Sequence, residues 1–145
     1  MKADKKTHDE VALTLQAFFE AYAKRDLNGV LAFWAPDSDV TMIGSGADEK
    51  TVGINQFPKI VIRDWSQSDK ATASFKQIAV SAAGSVAWFE TDIVFKIQSG
   101  LDKFEFGGRL TGVMEKRGGN WLLVQMHFSV PNVSQAQGQS WPKPT

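Results

Sequence analysis

Residues 112–131, GVMEKRGGNWLLVQMHFSVP, hold two extended runs around the turn RGGN. A tight turn between two such runs is the mark of a β-hairpin, and Pro131 ends the second run because proline cannot donate to a ladder. Strand side chains alternate between faces. In the second run Leu122, Val124, Met126, Phe128 and Val130 share one face, which is wholly apolar. Trp121, Leu123, Gln125, His127 and Ser129 share the other, which is mixed.

Upstream the same punctuation repeats. ATASFKQIAVS is expected as one strand. AAGS turns into VAWFETDIVFKI, and SGLD turns into KFEFGGRLTGVMEK. Four strands joined by short turns predict an antiparallel meander. Before them the period changes. Leu15, Phe18, Phe19 and Tyr22 recur at helical spacing, predicting a helix from about residue 8 to about residue 25. Thr7 and Glu10 have the spacing of a capping box. Asp26 is placed to cap a second helix carrying Leu27, Val30, Leu31 and Trp34. VTMIG, from Val40, reads as a short strand and GSGADEKTVG as a loop. Ile54, Phe57, Ile60, Val61 and Trp65 suggest a third helix, with Pro58 tolerable only in its first turn. The class is therefore α+β, in the order α-α-β-α-β-β-β-β.

The chain has 145 residues, 43% of them hydrophobic, no cysteine, and 16 acidic against 16 basic side chains. One domain over residues 1–131 is expected, followed by a polar, proline-containing tail at 132–145 whose Trp141 has no assigned place. A balanced charge argues against a nucleic-acid surface, which needs excess positive charge. No run approaches the ~20 apolar residues of a membrane span, and the charged start lacks the apolar stretch of a secretion signal. A cytoplasmic protein with no membrane partner is the expectation. The two histidines, His8 and His127, have no metal-ligand spacing, and nothing calls for a cofactor.

The run VAWFETDIVFKI raises the main functional question. Periodicity puts Ala87, Phe89, Thr91, Ile93, Phe95 and Ile97 on the core face, and Val86, Trp88, Glu90, Asp92 and Val94 toward solvent. Three helices cover one side of a sheet, so some large apolar side chains are expected on the outer face. Phe89, Ile93, Phe95, Val113 and Leu123 would then form a patch that pairs two copies sheet to sheet.

The layout resembles the nuclear transport factor 2-like superfamily, in which a curved sheet wraps a long helix to make a cone with a cavity. RDLNGVLAFWAPDSDV, MIGSGADEKTVGINQF and above all GVMEKRGGNWLLVQMHFSVP are similar to its SnoaL-like branch, over about residues 8–131. That resemblance implies a curved antiparallel sheet around the N-terminal helix and a single SnoaL-like domain. It also implies a homodimer, with His127 on the outer face. The superfamily includes ketosteroid isomerases, cyclases, dehydratases and a kinase association domain, so the fold alone does not assign a role. Carried onto this chain, the isomerase tyrosine falls at Phe18, its base at Met42, and its second acid near residues 110–112. None of these moves a proton. The arginines of the association-domain pocket fall at Asp92, Gly112 and Phe128.

The same alignment turns Trp88, Glu90 and Asp92 inward, against the periodicity. Glu90 and Asp92 are then candidate catalytic acids, because burial and mutual repulsion raise a carboxyl pKa. The alternative is that they pair with Arg63, Arg109 or a lysine. Tyr22 is a third candidate. Phe18, Trp34, Met42, Trp65, Trp88, Gly112, Met114, Met126 and Phe128 are the expected pocket residues. Two functions follow. One is a pocket for a small, mostly apolar molecule, with isomerase-, cyclase- or dehydratase-like acid–base chemistry. The other is a non-catalytic dimeric association module whose cone is filled.

Overall fold

The computed structural model describes residues 1–144. Helix α1 (Lys5–Ala23) lies along the inner face of one curved sheet. Its buried residues Val11, Leu15, Phe18 and Phe19 follow helical spacing. It starts earlier than the sequence suggested, because Asp4 and not Thr7 is the cap: its side chain accepts from the Thr7 backbone N–H. Glu10, expected to reach back to Thr7, reaches instead to the last two strands. Helix α2 (Leu27–Ala32) is capped by Asp26, as its position predicted. Strands β1 (Thr41–Ile43) and β2 (Lys50–Val52) follow, then a 3₁₀ turn (Ile54–Gln56) and helix α3 (Phe57–Ser66), with Pro58 in its first turn.

Five more strands complete the sheet: β3 (Lys70–Phe75), β4 (Ala79–Ala83), β5 (Val86–Ser99), β6 (Asp102–Arg117) and β7 (Asn120–Ser129). The order is β2-β1-β7-β6-β5-β3, with β4 also on β5. This is the α+β arrangement expected, with three differences of detail. The loop 44–53 contains β2. The β1–β7 pairing is parallel, so the sheet is mixed. The run ATASFKQIAVS is two strands, because Phe75 pairs with Ile93 while Ala79 pairs with Glu90, leaving one extra residue on the β3–β4 side.

A second bulge decides which side chains face inward. Met114 pairs with Leu123 and Val113 with Gln125, so Val124 is the extra residue on β7. The inner face of β7 is therefore Trp121 and Leu123 before the bulge, then Met126 and Phe128 after it. The single apolar face from Leu122 to Val130 does not exist. Trp121, Leu123 and Met126 are buried, and Leu122 and Val124 are only half-buried. Beside the bulge, Leu123 exchanges backbone hydrogen bonds with Phe33 and Ala35 at 2.8 and 2.9 Å, so α2's end is tied to the strand there.

On β5 the simple alternation holds. Ala87, Phe89, Thr91 and Ile93 are buried against the helices, and Glu90 and Asp92 are exposed on the convex face. The inner face accommodates more than expected because the sheet curves around α1. Phe89, Ile93 and Leu123 are 2%, 0% and 0% exposed, and Phe95 packs edge-on to Phe19 of α1. These four residues therefore do not form an outer patch. Of the six expected at a dimer face, only Val113 and His127 are on the convex side. After Ser129 the described chain, including the exposed Trp141, contains no helix or strand. Among the described residues, no helix is long and apolar enough to cross a membrane.

Candidate functional site

The two ends of the helix–sheet sandwich differ. Near the β6–β7 turn the space is filled. Met114 is fully buried, Lys116 Nζ donates to Glu10 Oε2 at 2.8 Å, and Trp121 Nε1 donates to the same oxygen at 2.9 Å. At the other end a cavity of about 340 Å³ opens between the C-terminal half of α1, helices α2 and α3, and the inner sheet face. Phe18, Trp34, Met42, Met126 and Phe128, all expected pocket residues, line it. Phe95, expected at an interface, lines it as well.

The other expected pocket residues lie elsewhere. Trp88 is on the convex face, because it alternates with the buried Ala87 and Phe89. Gly112 faces inward but is covered: a Cβ there would lie 2.5 Å from Cζ of Phe89 and 2.9 Å from the Gln125 carbonyl, so glycine is what lets that ring seat. Met114 is core at the filled end. Trp65 packs its ring 5.7 Å from that of Tyr22 without lining the cavity, and its Nε1 is buried with no partner.

Glu90 and Asp92 do not enter the cavity. They are exposed on the convex face, where β-register sets them beside Thr111 and Arg109. Water solvates both carboxylates there, and the inward assignment is corrected. Tyr22, the third candidate, is in the wall and has a partner that sequence reading missed. Its hydroxyl donates to Asp64 Oδ2 at 3.1 Å. Asp64 is on α3, three and four residues after Val61 and Ile60 and seven after Phe57. An acid within an otherwise apolar stripe was the available signal.

Burial holds the Asp64 carboxyl above the usual aspartate range; the nearby Glu49 charge adds to this, and the Tyr22 hydrogen bond and Arg63 oppose it. Burial, then the Asp64 charge, pushes the Tyr22 phenol well above its ordinary value. Glu49, before β2, is the second carboxylate of the wall. Its Oε1 accepts from Arg63 Nη2 at 2.8 Å and its Oε2 from the Gly46 N–H at 2.7 Å, while Arg63 Nη1 donates to Asp48 at 3.0 Å. Arg25, held in the left-handed region at φ 56°, donates to the carbonyls of Trp65 (2.7 Å) and Ser68. This ties the end of α1 to the end of α3, the two helices that carry Tyr22 and Asp64.

The arrangement is an apolar hollow with one acidic corner. A carboxyl that burial holds above the usual aspartate range, in contact with a phenol, has a partner beside it when it takes or gives a proton. Among the described residues, no group of three or more His, Cys, Asp or Glu is placed to hold a metal ion.

Comparison with solved structures finds this fold repeatedly. A nuclear transport factor 2-like superfamily protein from Salmonella enterica matches with a TM-score of 0.82 at 17% identity, over 96% of this chain and 100% of its own. A candidate dehydratase of that family from Streptomyces avermitilis matches with a TM-score of 0.80 at 17% identity, over 88% and 98%. A candidate aromatic ring hydroxylase from Novosphingobium aromaticivorans matches with a TM-score of 0.80 at 12% identity, over 90% and 93%. A search of the curated proteins found no match. The model of the SnoaL-like domain matches residues 11–133. Residue pattern, sheet order and family model agree, and the chain belongs to the SnoaL-like family.

Proposed function

We propose that this protein binds a small, mostly apolar molecule in the cavity and that Asp64, partnered by Tyr22, exchanges a proton with its polar end. The observation that carries this reading is the Tyr22–Asp64 hydrogen bond in the wall of a mostly aromatic and aliphatic hollow. Few, convergent polar groups in an apolar cavity are what small-molecule sites look like. A carboxyl whose pKa burial has raised keeps its proton to higher pH than an ordinary aspartate, which suits acid–base chemistry. Two neighbours of the same fold are described as a dehydratase and a hydroxylase, but they share 17% and 12% identity and support the fold alone. The chemistry rests on Asp64. The acid–base role that the sequence suggested for Glu90 and Asp92 therefore moves to α3.

The test uses N-phenyl-1-naphthylamine, a neutral apolar dye that brightens when it leaves water. Saturable brightening is expected with the native protein and at least about tenfold weaker binding with Thr51→Trp, whose indole would fill the rim beside Met42. Equal binding by the two proteins would remove the cavity from the account. A ¹³C carboxyl titration by NMR tests the proton: Asp64 titrating in the ordinary aspartate range would sink the acid–base role.

A further inference from the structure

The polar corner has a sign. Among the described residues, the cavity wall holds two carboxylates, Glu49 and Asp64, and no lysine, arginine or histidine. The two nearest guanidinium groups are committed elsewhere, Arg63 to Asp48 and Glu49 and Arg25 to the Trp65 and Ser68 carbonyls. Tyr22 spends its only proton on Asp64 Oδ2, so toward the cavity its oxygen offers a lone pair. Among the described residues, no side chain other than Tyr22 donates to Asp64. The ionisable groups of the corner are therefore acceptors, and a ligand carbonyl or carboxylate meets no cation there.

The aromatic part of the wall fits the same chemistry. Phe19 and Tyr22 stand edge to face, with centroids 6.3 Å apart, and Phe95 lies 5.9 Å beyond Phe19. Aromatic faces attract cations within about 6 Å of the ring centre. Desolvating a carboxylate is costly, and folding already leaves Asp64 half-buried, so a bound cation recovers part of that cost.

We infer that the occupant of this cavity is an apolar molecule that ends in a protonated amine, with the ammonium against the Asp64 carboxylate beside Glu49 and the body along the aromatic wall. This rests on the cavity reading above and names the ligand class for it. The complex needs Asp64 ionised, and the groups around that carboxylate are Tyr22 from α1, Glu49 from the β1–β2 loop, Arg63 on its own helix and Arg25 from the α1–α2 turn. Affinity for the amine should therefore fall as pH is lowered through the range in which Asp64 takes up its proton.

The experiment compares three probes of one shape by calorimetry: 4-phenylbutylamine, 4-phenylbutan-1-ol and 4-phenylbutanoate. The amine is expected to bind about tenfold or more tighter than the alcohol, and the carboxylate weakest, because a hydrogen-bonded charge adds to the shared apolar contact. Asp64→Asn should abolish the preference for the amine, bringing amine and alcohol to the same affinity. Glu49→Gln, a rim substitution that leaves the α1–α3 contact alone, should reduce the preference in part. Alcohol binding equal to or tighter than amine binding would overturn the amine assignment and keep the cavity. Binding of none of the three, with no dye binding either, would overturn both.

Discussion

The filled end and the hollow end of this molecule use the same residue types to opposite effect. At the filled end each carboxylate has a cation. Glu10 takes Lys116 and the Trp121 indole, and Asp37 takes both Nη groups of Arg117, whose Nη2 and Nε also reach Glu115. At the hollow end Asp64 has a phenol and, among the described residues, no ion-pair partner, while Glu49 beside it holds Arg63. The first arrangement lowers the carboxyl pKa of Glu10 and of Asp37 and secures the join between α1, α2 and the last hairpin. The second raises one and leaves it facing open space. Carboxylates that serve the fold are matched, and Asp64, the carboxylate proposed to meet a ligand, is left unmatched.

Packing should show the contrast most strongly. Leu15 is 0% exposed between α1 and the sheet. Leu15→Ala opens a new void and should cost about 2–5 kcal/mol by denaturant unfolding. Ile60→Ala in the cavity wall only widens a hollow that already exists, and should cost about 1 kcal/mol. Equal costs would mean that the hollow end is packed as tightly as the other. A smaller effect is expected at the filled end from Trp121→Phe, which keeps a six-membered aromatic ring but removes the indole N–H that donates to Glu10. The loss should be smaller than that of Leu15→Ala, since a hydrogen bond to a solvent-open charge is worth less than to a buried one.

The two ends were not equally legible in the sequence. The helices, the meander and the α+β class follow from periodicity and turn residues, and the family follows from the closing hairpin. Facing is harder. A single inserted residue, Val124, reverses every side chain beyond it on β7, and period-2 counting carries no mark of a bulge. Leu123 was therefore placed outside and Leu122 inside. On β5, with no bulge among its β6 partners, plain alternation placed Glu90 and Asp92 correctly in solvent, while alignment with a distant relative turned them inward. Tyr22 was found because it continues the α1 stripe. Asp64 was missed because α3 was read for its apolar positions alone, although the acid shares their face. The cavity itself depends on sheet curvature, which is a property of seven strands together and of no one segment.

The smallest effects expected are also the sharpest, because they differ in sign. Arg117 holds the Asp37 carboxyl below its ordinary value. A depressed folded-state pKa contributes stability above the unfolded value, near ~3.9 for aspartate, and that contribution is lost as pH falls through the folded-state value. Asp37→Asn should therefore destabilise at neutral pH and match the native protein in strong acid. Asp64 runs the other way. Its folded-state pKa is raised, so between the ordinary aspartate value and the raised one the folded chain keeps a proton that the unfolded chain has lost. Native stability falls as pH rises through that window and stays lowered above it. Asp64→Asn, which keeps an oxygen for the Tyr22 hydroxyl, removes the fall. It should stabilise the protein at neutral pH and bring no gain in acid, with urea unfolding at several pH values as the measurement. If both variants lose stability at neutral pH, Asp64 is a matched, structural carboxylate like Asp37, and the distinction between the two ends disappears. If they diverge, the hollow end carries a carboxylate that weakens the fold, as expected of a group kept for binding or proton transfer and not for stability.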